Sequence, residues 1–133
     1  MPYINIKLTG TALLPRQRED LLARITDLMG TVMKKRREVT VVSLEEADPS
    51  HWAVAGRTLC AADHPAAYVE IKVTAGTNTP EEKAAMVAET VAALKSVVGE
   101  IQTATYVVIH DIAADSWGYD GVTQAVRNRK SVP

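Results

Sequence analysis

Two short stretches of the chain alternate strictly between apolar and polar residues. Residues 3–9 (YINIKLT) place isoleucine, isoleucine and leucine on one face, and residues 68–74 (YVEIKVT) place valine, isoleucine and valine there. A period of two residues is typical of a β-strand with one covered face. Each stretch therefore predicts a strand that packs one side against a core.

A different apolar period, of three and four residues, follows each of these strands. It begins behind Pro15 in the first case and behind Pro80 in the second. Proline suits the first turn of a helix, and Thr79 with Glu82 forms a capping-box pattern around the second proline. The pattern predicts two amphipathic helices of about 18 residues each.

A β-branched run comes after each predicted helix. These runs, VTVVSL at 39–44 and TYVVIH at 105–110, predict second strands. A segment from tryptophan to glycine then follows, WAVAG at 52–56 and WGYDG at 117–121. Small residues and glycine at these places predict a hairpin or tight turn.

The order strand, helix, strand, hairpin thus occurs twice, at a constant offset of 65 residues. An internal repeat of this kind indicates two copies of one structural unit. We predict a single domain, 1–133, made of a first repeat (2–62) and a second repeat (67–133). Residues that recur at the offset include Tyr3 and Tyr68, Pro15 and Pro80, Val42 and Val107, Trp52 and Trp117, and Gly56 and Gly121.

Two strands joined by a helix are expected to be parallel, with a right-handed crossover. Each repeat is therefore a predicted β-α-β unit. Together they predict an α/β (α+β) fold: a four-stranded sheet with two helices on one face, plus short hairpins. One such unit buries little apolar surface by itself, so we expect an oligomer.

Composition and charge narrow the classes of partner. The chain has 133 residues, a net charge of −1 and no phenylalanine, so its core must be aliphatic. Near-neutral charge argues against broad binding to nucleic acid or to acidic membranes. No stretch is typical of a secretory signal or a membrane span. A single cysteine, Cys60, fits a reducing compartment, and we predict a cytoplasmic protein.

The residues that most often bind metals are scattered. Cys60 and the three histidines, His51, His64 and His110, lack the close pair spacings of structural zinc sites. We predict no metal site, and we interpret these four residues as ordinary structural side chains.

A proline directly follows the initiator methionine and stands one residue before the first strand. Pro2 in this place, the duplicated β-α-β unit and the hairpin segment WGYDG together resemble the tautomerase superfamily. The similarity is to fused, two-repeat relatives of 4-oxalocrotonate tautomerase, and it covers nearly the whole chain. No single motif carries it; the combination does.

The resemblance implies a cofactor-independent isomerase. Met1 would be removed, and the Pro2 nitrogen would act as general base for keto-enol proton transfer on a small unsaturated 2-hydroxy or 2-oxo acid. An ordinary α-amino group titrates at about 7.7–8.0, and burial or a nearby cation lowers that pKa. The alternative is a proline that only shapes the terminus. The second repeat starts at Ala67, so we expect one active site per chain.

The resemblance also implies an aromatic wall beside the proline, which Trp117 and Trp52 match in the two repeats. The alternative role for both is an anchor in a core or an interface. Two arginines that bind substrate carboxylates are implied as well, but neither repeat has them. Tyr106 has a hydroxyl that could donate to a developing enolate. The positions of the missing arginines hold Ala12 and Thr77 after the first strands, and Val41 and Tyr106 in the second strands.

Other cations could replace the missing arginines, but we favour a structural role for each of them. Lys7 and Lys72 project from the less covered face of the first strands, and the basic run at 34–37 (KKRR) is typical of a solvated helix end. Residues 127–130 are predicted to be a polar, frayed chain end.

Two further functions use the same scaffold. A dehalogenase- or decarboxylase-like hydratase would need a carboxylate to activate water, and Glu45, Glu46 and Asp111 are candidates by position. A catalytically impaired homologue that only binds a ligand is the other. Short unfused relatives form hexamers, so the resemblance implies a homotrimer of this chain. Its expected partner is a small carboxylic acid.

Overall fold

The computed structural model describes residues 1–10 and 12–130, with the backbone alone for Lys130. The first repeat contains two sheet strands, a long helix and a small hairpin, with short 3-10 turns at 37–39 and 49–51. Its elements are β1 (Tyr3–Thr9), α1 (Pro15–Thr31), β2 (Val41–Ala47), β3 (Ala53–Val54) and β4 (Arg57–Thr58).

The second repeat has the same order and one extra helix at its end. Its elements are β5 (Ala67–Thr74), α2 (Pro80–Val98), β6 (Tyr106–Ile112), β7 (Gly118–Tyr119), β8 (Val122–Thr123) and α3 (Gln124–Lys130). The predicted fold class is confirmed. In the first repeat β2 starts at Val41, two residues into the β-branched run, because residues 37–39 form a 3-10 turn. In the second repeat β6 starts at Tyr106, one residue into its run.

The four long strands form one sheet in the order β2-β1-β5-β6. Pairing is parallel within each repeat and antiparallel between β1 and β5. In that central pair Tyr3 lies opposite Lys72, and Lys7 lies opposite Tyr68. The repeat offset exchanges these two pairs, so the repeats are related by an approximate twofold axis. As a result, the start of β1 lies beside the end of β5.

Both long helices cover one face of this sheet and enclose an aliphatic core. Removing each such side chain from water stabilises the fold by roughly 1.5–3 kcal/mol. The core residues that are completely buried include Ile4, Ile6 and Leu8 of β1, Val69, Ile71 and Val73 of β5, Leu21, Ile25 and Met29 of α1, and Met86 and Leu94 of α2.

The two helices begin at the prolines but are capped differently. In α2 the Thr79 hydroxyl accepts from the Glu82 backbone N–H at 3.1 Å, and Glu82 Oε1 accepts from the Thr79 N–H at 2.9 Å. This confirms the predicted capping box. In α1 the residue before the proline is Leu14, which has no capping oxygen. There, Gln17 Oε1 accepts from the Leu14 N–H at 2.8 Å.

The other face of the sheet, the open face, carries the polar side chains of the alternating pattern. Asn5 Nδ2 donates to the Ser43 hydroxyl at 2.7 Å, and the Tyr3 hydroxyl lies 3.0 Å from the same oxygen. The strand register arranges the open face in three rows across the sheet. These are Val41-Tyr3-Lys72-His110, then Ser43-Asn5-Glu70-Val108, then Glu45-Lys7-Tyr68-Tyr106.

Both predicted hairpins are confirmed and share one turn geometry. Ala55 and Gly56 have φ of 54° and 77°, and Asp120 and Gly121 have φ of 53° and 75°. Two successive left-handed residues define the type I′ turn that suits the twist of paired strands. The prediction of a frayed end at 127–130 is wrong, because these residues belong to α3. In the part of the chain that is described, no helix has the length and apolarity to cross a bilayer.

Candidate active site

Pro2 lies at the head of β1 and is buried. Its carbonyl oxygen accepts a hydrogen bond from the Val41 backbone N–H at 3.4 Å, which ties the chain's start to the first residue of β2. A cavity of about 350 Å³ opens beside it, which we call the Pro2 pocket. The first repeat contributes Met1, Pro2, Tyr3, Val39 and Val41 to its walls, and the second contributes Lys72, Trp117, Gly118 and Tyr119.

The Pro2 pocket is therefore shared between the two repeats. The antiparallel pair of β1 and β5 brings the end of the second repeat's first strand to the start of the first repeat's. Because β6 runs parallel to β5, the hairpin after β6 reaches the same edge and lies over the chain's start. The tryptophan that walls Pro2 is consequently Trp117, from the other repeat.

The amino group at the chain's start is electrostatically perturbed. Burial lowers the pKa of the Met1 amine, and the positive charges of Lys35 and Arg36 lower it further. Both effects penalise the ammonium form. The environment around the first two residues thus favours a neutral amine.

Among the cations, Lys35 has the largest effect on the pKa of the chain-start amine. Its Nζ donates to the Thr77 hydroxyl at 2.7 Å. Burial lowers the pKa of Lys35, while Glu82 and Asp111 act in the opposite direction. The expectation of a fully solvated basic run is wrong for Lys35, which is partly buried and faces the second repeat.

Two side chains of the pocket wall are fixed by their neighbours. Trp117 Nε1 donates to the hydroxyl of Thr74 at 3.1 Å, and Thr74 is buried at the end of β5. The Arg127 guanidinium lies 3.9 Å from the centroid of the Tyr119 ring and donates to the Tyr119 carbonyl at 2.8 Å. Helix α3 thereby supports the hairpin from behind.

A second cavity, of about 330 Å³, occupies the twofold-related position, and we call it the Tyr106 pocket. Its walls are residues 52–55 of the first hairpin together with Tyr68, Ala104 and Tyr106. Of the predicted site residues, Pro2 and Trp117 lie together, whereas Trp52 and Tyr106 line this other pocket. Tyr106 is 66% exposed and does not line the Pro2 pocket.

The two pockets together contain every aromatic side chain of the protein. The chain has two tryptophans, four tyrosines and no phenylalanine. Three of these six line each pocket: Tyr3, Trp117 and Tyr119 beside Pro2, and Trp52, Tyr68 and Tyr106 in the other.

Sequence reasoning considered Lys35 only as part of the basic run at 34–37, and it missed Tyr119 and Arg127 as functional residues. A usable signal existed for Lys35, because the offset carries it onto Glu100, so the two copies differ in charge there. For Tyr119 the signal was its place in the same hairpin as Trp117. Nothing local in the sequence marks Arg127, whose role depends on the return of α3 to the hairpin.

The three candidate carboxylates lie in different surroundings. Glu46 pairs with Arg18 at 3.5 Å, and Glu45 lies opposite Lys7 in the sheet. Asp111 pairs with Lys83 at 2.6 Å and also acts on Lys35, which in turn acts on the chain-start amine. Among residues 1–10 and 12–130, no cluster of three His, Cys, Asp or Glu side chains is placed to hold a metal.

Comparison with known proteins identifies relatives of both repeats. A family model described as "Tautomerase enzyme" matches residues 2–62 and again 68–127. The chain is similar to the probable tautomerase K2 of Dickeya dadantii (strain 3937), with 29% identity over 59 residues. That match spans 44% of this chain and 88% of the relative, which is about one repeat long.

Solved structures match both repeats at once. A crystal structure of native fused 4-OT superimposes with a TM-score of 0.84 at 25% identity, covering 96% of this chain and 99% of that one. The symmetric trimer of wild-type Q0 fused 4-OT gives a TM-score of 0.83 at 23% identity, with the same two coverages.

Proposed function

Because the chain belongs to the tautomerase family, we propose that it is a cofactor-independent tautomerase whose general base is the nitrogen of Pro2. Removal of Met1 frees that nitrogen as a secondary amine. The substrate is a small unsaturated acid that carries a 2-hydroxy or 2-oxo group.

The observation that carries this proposal is the burial of Pro2 beside a cavity at the place where the chain-start amine has a lowered pKa. Without Met1 the amine belongs to the buried proline itself, which lines the same pocket. An amine that is neutral near physiological pH is what general base catalysis requires.

The proposed reaction moves one proton and needs no redox partner. Pro2 nitrogen takes the proton from the C2 hydroxyl of a dienol acid, and the O–H electrons become part of the new C2 carbonyl bond. The electrons of the diene shift along the chain, and the protonated proline returns the proton to the distal carbon. Trp117 and Tyr119 line the pocket beside the amine and reduce its contact with water.

Lys35 takes the part of the missing arginines in this proposal. An ammonium group binds a carboxylate as a point charge and does not need the guanidinium fork. Lys35 already acts on the chain-start amine, so a carboxylate held by it would lie beside the base. Lys72 lines the same pocket and supplies a second positive charge.

One observation favours a hydratase as the second candidate. Asp111 is electrostatically connected to Lys35, and it is the only one of the three proposed carboxylates for which such a connection is described. Release of halide from a 3-haloacrylate, abolished in Asp111→Asn, would support this reaction. No halide release together with isomerase activity would exclude it for that substrate.

The decisive test is NMR titration of the N-terminal nitrogen in a sample whose mass shows that Met1 is absent. We expect a pKa below the ordinary value of about 7.7–8.0, and isomerase activity in proportion to the Met-free fraction. A fully Met-free sample that is inactive on 2-hydroxydienoates and phenylenolpyruvate would leave the ligand-binding homologue as the better description.

Assembly is part of the proposal. The neighbouring Q0 fused 4-OT forms a symmetric trimer, and this chain leaves β2 and β6 as sheet edges that a second chain can pair with. We expect a homotrimer in light scattering at micromolar concentration; a monomer would contradict it.

A further inference from the structure

The Tyr106 pocket is built from the positions that match those of the Pro2 pocket, but it has no chain-start amine. At the position that matches Pro2 the second repeat has Ala67, an internal residue whose backbone N–H donates to the Thr105 hydroxyl at 3.3 Å. No free amine exists there. Nevertheless the pocket keeps a cavity of about 330 Å³ and three aromatic side chains.

The charges around the two pockets also differ. The Pro2 pocket has Lys72 in its wall and Lys35 beside its amine. No lysine or arginine lines the Tyr106 pocket among the described residues. The offset replaces Lys35 by Glu100 and Arg36 by Ile101, so the cations of the first site have no counterpart in the second.

Carboxylates accompany the Tyr106 pocket on the open face. Glu70 lies beside the Tyr68 hydroxyl and raises the pKa of that phenol, chiefly through a hydrogen bond. Two cations are near by register, and each has a carboxylate partner: Lys7 lies between Tyr68 and Glu45, and Arg57, opposite Val54, pairs with Asp63 at 3.1 Å. Three carboxylates therefore accompany two cations, and the positions that match Glu70 and Glu45 in the other half are Asn5 and His110.

We propose that the Tyr106 pocket is a second, non-catalytic binding site for an organic ammonium ion, held by the faces of Trp52, Tyr68 and Tyr106. Aromatic faces attract cations through the ring quadrupole, and groups of such rings recognise quaternary ammonium ligands. The site goes beyond the tautomerase reaction and does not depend on Pro2.

The test uses choline as the probe and Trp52 as the reporter. In Trp117→Phe, Trp52 is the sole tryptophan, so its emission reports on the Tyr106 pocket alone. Choline should change this emission saturably at constant ionic strength. Its neutral isostere, 3,3-dimethylbutan-1-ol, should bind at least about fivefold more weakly, since it lacks the charge that the rings attract.

Two variants locate the site. Tyr106→Ala should weaken choline binding about tenfold or more, whereas the matched change Val41→Ala at the Pro2 pocket should alter it less than about twofold. Tyr106 is exposed in the single chain, so its loss leaves the core intact, and light scattering checks that the variant keeps the wild-type oligomeric state. Glu70→Gln should weaken choline and leave the neutral isostere unchanged.

Three results would overturn the proposal. One is equal affinity for choline and the isostere, which would indicate an apolar groove without charge selection. Another is a Trp52 signal that never saturates. The third is a loss of binding that follows Val41→Ala rather than Tyr106→Ala. Pro2→Ala should leave choline binding intact, so failure of the tautomerase proposal does not bear on this one.

Discussion

The Pro2 pocket and the Tyr106 pocket are built from the same elements with the repeats exchanged. Each consists of the start of one repeat's sheet strands, covered by the other repeat's hairpin. Both hairpins have the same type I′ turn and a tryptophan before it. What separates the pockets is a half-buried chain-start amine with cations near it in one, and an internal amide with carboxylates near it in the other.

The comparison teaches that the chemistry of a site here depends on side chains outside the core. The residues that distinguish the pockets lie at strand ends, in the loop after α1 and on the hairpins. Lys35 and Glu100 both lie outside the enclosed aliphatic layer, so their exchange changes the charge beside a pocket and not the core. One scaffold can thus place cations beside one pocket and carboxylates beside the other within a single chain.

Substitution of the base should give the largest difference between the pockets. We expect Pro2→Ala to lower kcat/KM by on the order of 10²- to 10⁴-fold, the usual contribution of a positioned general base. The fold should be retained, as circular dichroism and light scattering will show. Ala67→Gly, at the matching position, should change kcat/KM less than about twofold; equal losses in both variants would remove the distinction.

Replacement of Lys35 should have the second largest effect on kcat/KM. We expect Lys35→Met to lower kcat/KM for a carboxylate substrate about 10- to 100-fold, as for loss of a hydrogen bond to a charged group. Glu100→Gln is the matched control and should have little effect.

The same Lys35 variant carries a pH signature. Lys35 lowers the pKa of the chain-start amine, so its removal should raise that pKa. The base must be unprotonated, hence kcat/KM rises with pH through this pKa, and the rising limb should move to higher pH in Lys35→Met. A limb that stays in place or moves to lower pH would show that Lys35 does not act on the base.

The two buried threonines at the ends of β1 and β5 allow a third comparison. Thr74 accepts from Trp117 Nε1 at 3.1 Å, and Thr9 accepts from the Ala66 backbone N–H at 2.9 Å. Replacing either by valine leaves a donor without its partner and should cost about 1–3 kcal/mol in the free energy of unfolding. Thr74→Val should also lower kcat/KM, because Trp117 loses its anchor, whereas Thr9→Val should alter stability alone. Urea unfolding at fixed protein concentration and steady-state kinetics together check this.

The hairpin turns should show the smallest effect. Ala55 has φ of 54°, a left-handed conformation that costs a residue with a β-carbon roughly 1–2 kcal/mol. Glycine relieves this strain but loses roughly 0.5–1 kcal/mol of chain entropy. Ala55→Gly should therefore stabilise the protein by about 0.5 kcal/mol or slightly more. Asp120→Gly should stabilise it less, since aspartate tolerates this conformation; the reverse order in urea midpoints would contradict the interpretation.

Much of the fold followed from periodicity. Apolar alternation and the offset predicted both first strands, both helices from their prolines, and both hairpins, because these elements are set by residues close in sequence. The predicted start of β2 was two residues too early, because the β-branched Val39 lies in a 3-10 turn rather than in the strand. Helix α3 was missed because its short, polar sequence shows little apolar period.

The site was harder to predict than the fold. Pro2 and Trp117 were identified separately, but periodicity does not say that the hairpin of one repeat covers the start of the other. That arrangement depends on the antiparallel pairing of β1 with β5, a contact between residues far apart in sequence. For the same reason Trp52 and Tyr106 were grouped with Pro2, although they line the other pocket.

The crossed hairpins have a consequence for how such a protein can change over time. The second repeat has no terminal nitrogen of its own, but its hairpin covers the pocket in which the proposed base of the first repeat lies. Deleting it would remove Trp117 and Tyr119 from beside Pro2, so selection for the proposed activity would be enough to retain both halves. The half without a base is then free to accumulate substitutions in its own cleft, provided that its last hairpin stays in place.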